Sequence, residues 1–156
     1  MSLPERIVAY QSASQYFLNL AVGTPEELLD VRHENGWSAR QVIHHMADSE
    51  AQSYARLRRL IAEPEGSVIQ GYDESAWAQC EQLGYIDAPV KNSIAVFAAV
   101  RASSLDLLKR LSEDDLNKFG NHTESGKFTV DKWLEGYTKH PHDHGDQLVR
   151  ATKGQE

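Results

Sequence analysis

At 156 residues, with 40% hydrophobic and 25% charged side chains, the chain has the size and composition of one globular domain, long enough to bury roughly two thirds of its unfolded surface. No stretch approaches the ~20 apolar residues of a membrane span. A formal charge of -7 argues against nucleic acid as the main partner, because phosphate backbones need a cationic face and the Arg56, Arg58 and Arg59 cluster is too small to supply one. The single cysteine, Cys80, cannot form an internal disulfide and lacks a Cys-x-x-Cys partner for zinc. With no basic segment and apolar run after Met1, this points to the cytosol.

Pro4 opens a segment through Leu20 whose residues Ile7, Tyr10, Phe17 and Leu20 recur at helical spacing, which predicts a first long helix. After Gly23, Thr24-Pro25-Glu26-Glu27 combines an N-cap, a proline and acidic first-turn residues, and predicts a short helix to about Asp30. Ser38-Ala39-Arg40-Gln41 has the capping-box form, and the periodicity then runs through Val42, Met46, Ser49, Ser53, Leu57 and Ile61 as a second long helix. From Pro64 to Pro89 the pattern breaks into a long crossover, with room for two helical turns at Glu74–Cys80. A third long helix is expected over 90–111, a capped short turn at Ser112–Asp115, a loop over 121–127 and a fourth long helix over 129–152. No alternating β-branched run amounts to a sheet, so the expected fold is an all-α four-helix bundle in a single domain over 1–156.

Three histidines stand out by setting. His140 and His144 lie four apart and continue the apolar stripe of Val130, Trp133, Leu134, Tyr137 and Leu148, while His45 lies on the core side of the second helix. Each buried imidazole left without a partner costs ~1–3 kcal/mol, so each needs its own set of hydrogen bonds unless one cation satisfies all three. Residues four apart have side chains ~5–6 Å apart, close enough to reach one ion. Spacing alone leaves both accounts open: a metal site, or three structural histidines in a non-catalytic binding or dimerisation module. Pro141 removes a backbone bond next to His140, and either aims that ring or tilts it away. His44, His142, Asp143, Asp146, Asp48 and Glu50 are alternative ligands or outer carboxylates, with Asp48 and Asp143 the choices for an outer role. His122 and Glu124 are candidate neighbours of the site, with solvent-exposed loop positions the simpler expectation. Cys80 has no placed base and is not a credible nucleophile.

The segment Trp37-Ser38-Ala39-Arg40-Gln41-Val42-Ile43-His44-His45-Met46-Ala47-Asp48-Ser49-Glu50 resembles the "W-S-x-R-x-V-x-x-H-x-A-D-x-E" pattern of the DinB-like superfamily. The segment His140 to Leu148 is similar to that family's "H-x-x-x-H-x-x-Q-[IL]". The resemblance implies an up-down-down-up bundle in which His45, His140 and His144 bind one divalent metal, commonly zinc or nickel. It places His44 and His142 beside ligand positions. It further implies a small-molecule substrate, attacked by metal-bound water or by the thiolate of a bacillithiol- or mycothiol-type cosubstrate, so that the protein is a metal-dependent hydrolase or thiol transferase. A three-histidine site leaves the ion an open position, and such an ion lowers the pKa of bound water to ~7. Bundles of this size often pair through a helical face, so a cytoplasmic homodimer is expected.

Overall fold

The computed structural model describes residues Met1–Glu156. Four long helices make the bundle: α1 (Leu3–Gly23), α2 (Ala39–Ala62), α4 (Lys91–Leu108) and α5 (Val130–Thr152), with the two-turn α3 (Glu74–Gln79) in the crossover. Their starts follow from local chemistry. Ser2 and Glu5 close a capping box on α1, and at the head of α2 Ser38 accepts from the Gln41 N–H at 3.2 Å while Gln41 Oε1 accepts from the Ser38 N–H at 2.8 Å. Thr129 caps α5 through the Lys132 N–H. The short helix expected after Gly23 is a single 3-10 turn, Glu26–Leu28, and a second one, Asp114–Asn117, follows Ser112.

Cross-helix contacts give the directions. Arg6 meets Asp131, Tyr10 stacks on Trp133 and Tyr16 packs on His142, so α1 and α5 run parallel. His44 meets Ser93, Glu50 meets Arg101 and Arg58 meets Ser103 and Ser104, so α2 and α4 also run parallel. Phe17 on Phe97 and Trp133 bonded to the Ser53 carbonyl show the two pairs to be antiparallel. The order is up, down, down, up, as a crossover between α2 and α4 requires.

The core divides into two apolar clusters. Tyr10, Leu57, Leu60, Ile69, Leu108, Trp133 and Leu134 fill one end, and Phe17, Val42, Ile43, Met46, Phe97 and Leu148 fill the other. Between them lies a buried polar layer, His45, Glu50, Ser53, Arg101 and Ser104. Such groups stay inside only when hydrogen-bonded, paired or bound to an ion, so the middle of the bundle is where chemistry is to be sought.

The expectation of no sheet is corrected. Strand β1 (Val68–Ile69) pairs in parallel with β2 (Phe119–His122), which pairs antiparallel with β3 (Gly126–Thr129). The strands are too short, and too rich in glycine and polar residues, for an alternating pattern to register. Their pairing is set by close approach: a Cβ at Gly120 would lie 2.6 Å from the Ser67 carbonyl oxygen and 2.7 Å from the Ile69 side chain. Gly126, with φ +78°, takes the left-handed position that ends the turn from β2. The sheet brings the hairpin over the crossover, where Glu124 packs against Gly71.

Candidate metal centre

His45 is carried by α2 two turns after the capping box, between buried Val42 and Met46. His140 and His144 are carried by α5, on the stripe that buries Trp133, Leu134, Tyr137 and Leu148. Because α2 and α5 are antiparallel neighbours, these stripes face each other and the three rings meet. One nitrogen from each lies within 4.8 Å of the other two, and the ring centroids are 5.4 Å (His45 to His140), 4.6 Å (His45 to His144) and 4.3 Å (His140 to His144) apart. The helix runs unbroken through Pro141, so the proline leaves His140 aimed at its partners.

The donor set passes a simple test for a metal. His45 is 1% exposed, yet neither of its nitrogens finds a hydrogen-bond partner in the chain, and Nδ1 of His140 is equally orphaned. Buried polar atoms in folded proteins rarely stay unpaired, and one cation at the convergence would engage all three rings. His144 meets Gln147 Oε1 through Nδ1 at 2.7 Å; with that oxygen accepting, the proton sits on Nδ1 and the Nε2 lone pair is free. Protonation is opposed throughout. Burial, reinforced by His144, pushes His45 down to about 4, and burial followed by the charges of its two partner histidines pushes His140 down to about 2. Burial also lowers His144. Neutral imidazoles with free lone pairs are the form that ligates.

The remaining candidates separate cleanly. His44 is structural, bonded to Ser93 Oγ at 2.7 Å and to the Ala88 carbonyl at 3.0 Å. His142 is exposed and lies on the Tyr16 ring. Asp143 is exposed and paired with Lys139, and Asp146 accepts from the Tyr16 hydroxyl. Asp48 accepts from the Tyr85 hydroxyl at 2.7 Å, so neither Asp48 nor Asp143 is hydrogen-bonded to a site histidine. Glu50 is wholly buried but is committed to Arg101 and Ser53.

A cavity of about 310 Å³ opens beside His140 and Tyr137. The crossover supplies Tyr72 and Glu74 to its wall, α2 supplies Ser49 and Arg56, and the hairpin supplies His122 and Glu124. His122 is therefore a half-buried wall residue: its Nδ1 accepts from the Glu124 N–H at 3.1 Å, and burial lowers its pKa. Arg56 is held by the Tyr137 hydroxyl and the Gln70 carbonyl, both at 2.9 Å. Burial raises the Tyr137 hydroxyl to about 12 and raises Tyr72 as well, so both stay protonated.

Comparison with known proteins decides the family, since the model of the DinB superfamily matches residues 9–148. The chain belongs to the DinB superfamily. Its relatives include a protein of Oceanobacillus iheyensis, 35% identical over 136 residues that cover 86% of this chain and 77% of the relative. YfiT of Bacillus subtilis is 30% identical over 133 residues, covering 85% and 73% of the two chains. Both relatives are named as candidate metal-dependent hydrolases. Superposed on a solved structure of YfiT, described as having an unusual four-helix bundle topology, the chain gives a TM-score of 0.85 at 24% identity and covers 99% of itself and 89% of that structure.

The two DinB-like segments quoted from the sequence are those that bring the histidines together. Apart from His122 and Glu124, candidate neighbours of the site from the sequence, the cavity wall left no such trace. Tyr72 and Glu74 flank the Asp73 N-cap of the two-turn helix for which the sequence left room at Glu74–Cys80, and nothing else in the sequence there points to a site.

Proposed function

We propose that this DinB-superfamily protein is a metal-dependent enzyme in which His45, His140 and His144 hold one zinc or nickel ion and a small-molecule substrate occupies the cavity beside His140. The observation that carries this is the convergence of three neutral imidazoles, His45 buried and His140 and His144 half-buried, whose nitrogens find too few partners within the chain. The names of the relatives favour hydrolysis, and transfer of a low-molecular-weight thiol of the bacillithiol or mycothiol type would use the same ligands. When bound, the ion supplies a Lewis acid that activates water or a thiol at neutral pH.

The rest is done by the chain. Three neutral ligands leave the positive charge of the ion uncompensated, which is what such activation needs. Gln147 holds His144 in the tautomer that ligates. Trp37 lies edge-on to His45 at 5.4 Å, and the cavity reaches the cluster at His140. Glu74 lines that cavity and its charge favours protonation of His144, and in this reading its carboxylate serves as the base for a proton released there.

The test is elemental analysis of tag-free protein beside His144→Ala. Near one equivalent of zinc or nickel per chain in the parent and a large loss in the variant is the expected result. No metal in the parent even after reconstitution would leave a binding or dimerisation module with structural histidines.

A further inference from the structure

Pro141 has no N–H to give the carbonyl four residues earlier, so a helix that continues through it deprives the Tyr137 oxygen of its ordinary partner. A side chain from another helix supplies one: Arg101 Nη1 donates to the Tyr137 carbonyl at 2.7 Å. The same guanidinium, 2% exposed, bonds Glu50 Oε1 at 3.0 Å, Ser14 Oγ at 2.6 Å and the Tyr10 carbonyl at 3.1 Å, and lies 3.7 Å from the Tyr10 ring centroid. One arginine on α4 thereby fastens α1, α2 and α5 at a single level. Glu50 is fixed in turn by Ser53 Oγ at 2.7 Å.

Stability alone is a weak reason for such a pair, since well-packed apolar residues often replace a buried ion pair without loss. An apolar side chain cannot donate to the carbonyl that Pro141 frees. Tyr137 stands one turn before His140 on α5, and Glu50 stands just over one turn after His45 on α2. The two bonds from Arg101 Nη1 therefore link the histidine-bearing helices directly beside the three rings.

We infer that Arg101, held by Glu50, is a positioning residue for the histidine cluster: it replaces the backbone bond that Pro141 removes and fixes the distance between His45 and the His140 and His144 pair. Pro141 and Arg101 are two halves of one device. The proline takes the orientation of the His140 turn away from the helix ladder, and the arginine hands it to the neighbouring helices. This rests on the proposed metal site for its main readout.

Cobalt(II) is the probe, because its visible spectrum reports coordination geometry and its titration reports affinity. Arg101→Met alone would leave the Glu50 charge unpaired, so the variant is Glu50→Gln/Arg101→Met, measured with and without Pro141→Ala. The expected result is a loss of cobalt affinity of about tenfold with an altered spectrum, reversed when alanine restores the N–H at position 141. Unchanged affinity, or a loss that Pro141→Ala does not reduce, overturns the inference. If the double variant does not fold, Arg101→Lys keeps a cation for Glu50 but not the planar fork; a smaller loss with the same rescue is expected, and no loss overturns it. A parent that binds no cobalt refutes the metal site instead. Urea unfolding of the metal-free proteins then decides the positioning role: the effects of changing positions 101 and 141 should be non-additive, and additivity would overturn it.

Discussion

His45 and His140 are neutral in the fold because burial holds them at about 4 and about 2, whereas an unfolded chain titrates them near ~6.5. Their folded values are lowered, so the unfolded state takes up protons first as pH falls, and stability present above ~6.5 is lost below it. For metal-free protein each ring should cost about 2 kcal/mol by pH 5 relative to pH 8. Urea melts across that range test this, and a His45→Asn/His140→Asn variant should lose most of the acid sensitivity. Glu74 gives the second prediction at this scale. Glu74→Gln should lower turnover by about 10²-fold with metal content unchanged, in keeping with a group that moves a proton and binds no ion. A loss of metal in that variant would instead make Glu74 a ligand.

Each of the elements bearing the histidines is fixed at its start by a cap. Ser38 is buried and closes the box at the head of α2, so Ser38→Ala should destabilise by about 1 kcal/mol, or roughly 2–4 °C in Tm for a domain of this size. That box was legible, because a serine followed by glutamine three residues on is a local signal that tertiary packing has no cause to override. The sheet was not. Its strands gain their partners from a crossover and a hairpin that lie some fifty residues apart, and glycine, the residue that makes the pairing fit at position 120, counts against a strand in any local reading. Gly120→Ala should therefore destabilise by about 1–3 kcal/mol through collision with the Ser67 carbonyl and the Ile69 side chain, a cost that thermal melts will read.

For the whole molecule, an ion that binds only the folded state raises stability by mass action. Zinc or nickel at 100 times its Kd should add about 2.7 kcal/mol and raise Tm by roughly 5–10 °C, reversed by a chelator and absent in His144→Ala. No helix is long and apolar enough to cross a membrane. The homodimer in the cytoplasm remains our proposal, with light scattering at micromolar concentration as its check and a monomeric mass as the result that removes it.

What the sequence alone determined was the set of long amphipathic helices, their caps and the three histidines on core-facing stripes, because periodicity, capping and side-chain facing are properties of a few neighbouring residues. It also contained Pro141 without deciding its effect. The tertiary structure decided which stripes face each other, and hence that His45 meets His140 and His144 and that His44 goes instead to Ser93 and Ala88. It turned Glu50 from a candidate ligand into the partner of Arg101, and drew Tyr72, Glu74 and His122 to one cavity from segments with no common pattern. Those outcomes depend on contacts between residues far apart in the chain, where the energy of a buried charge or an orphaned carbonyl is set by whichever group the fold brings alongside it.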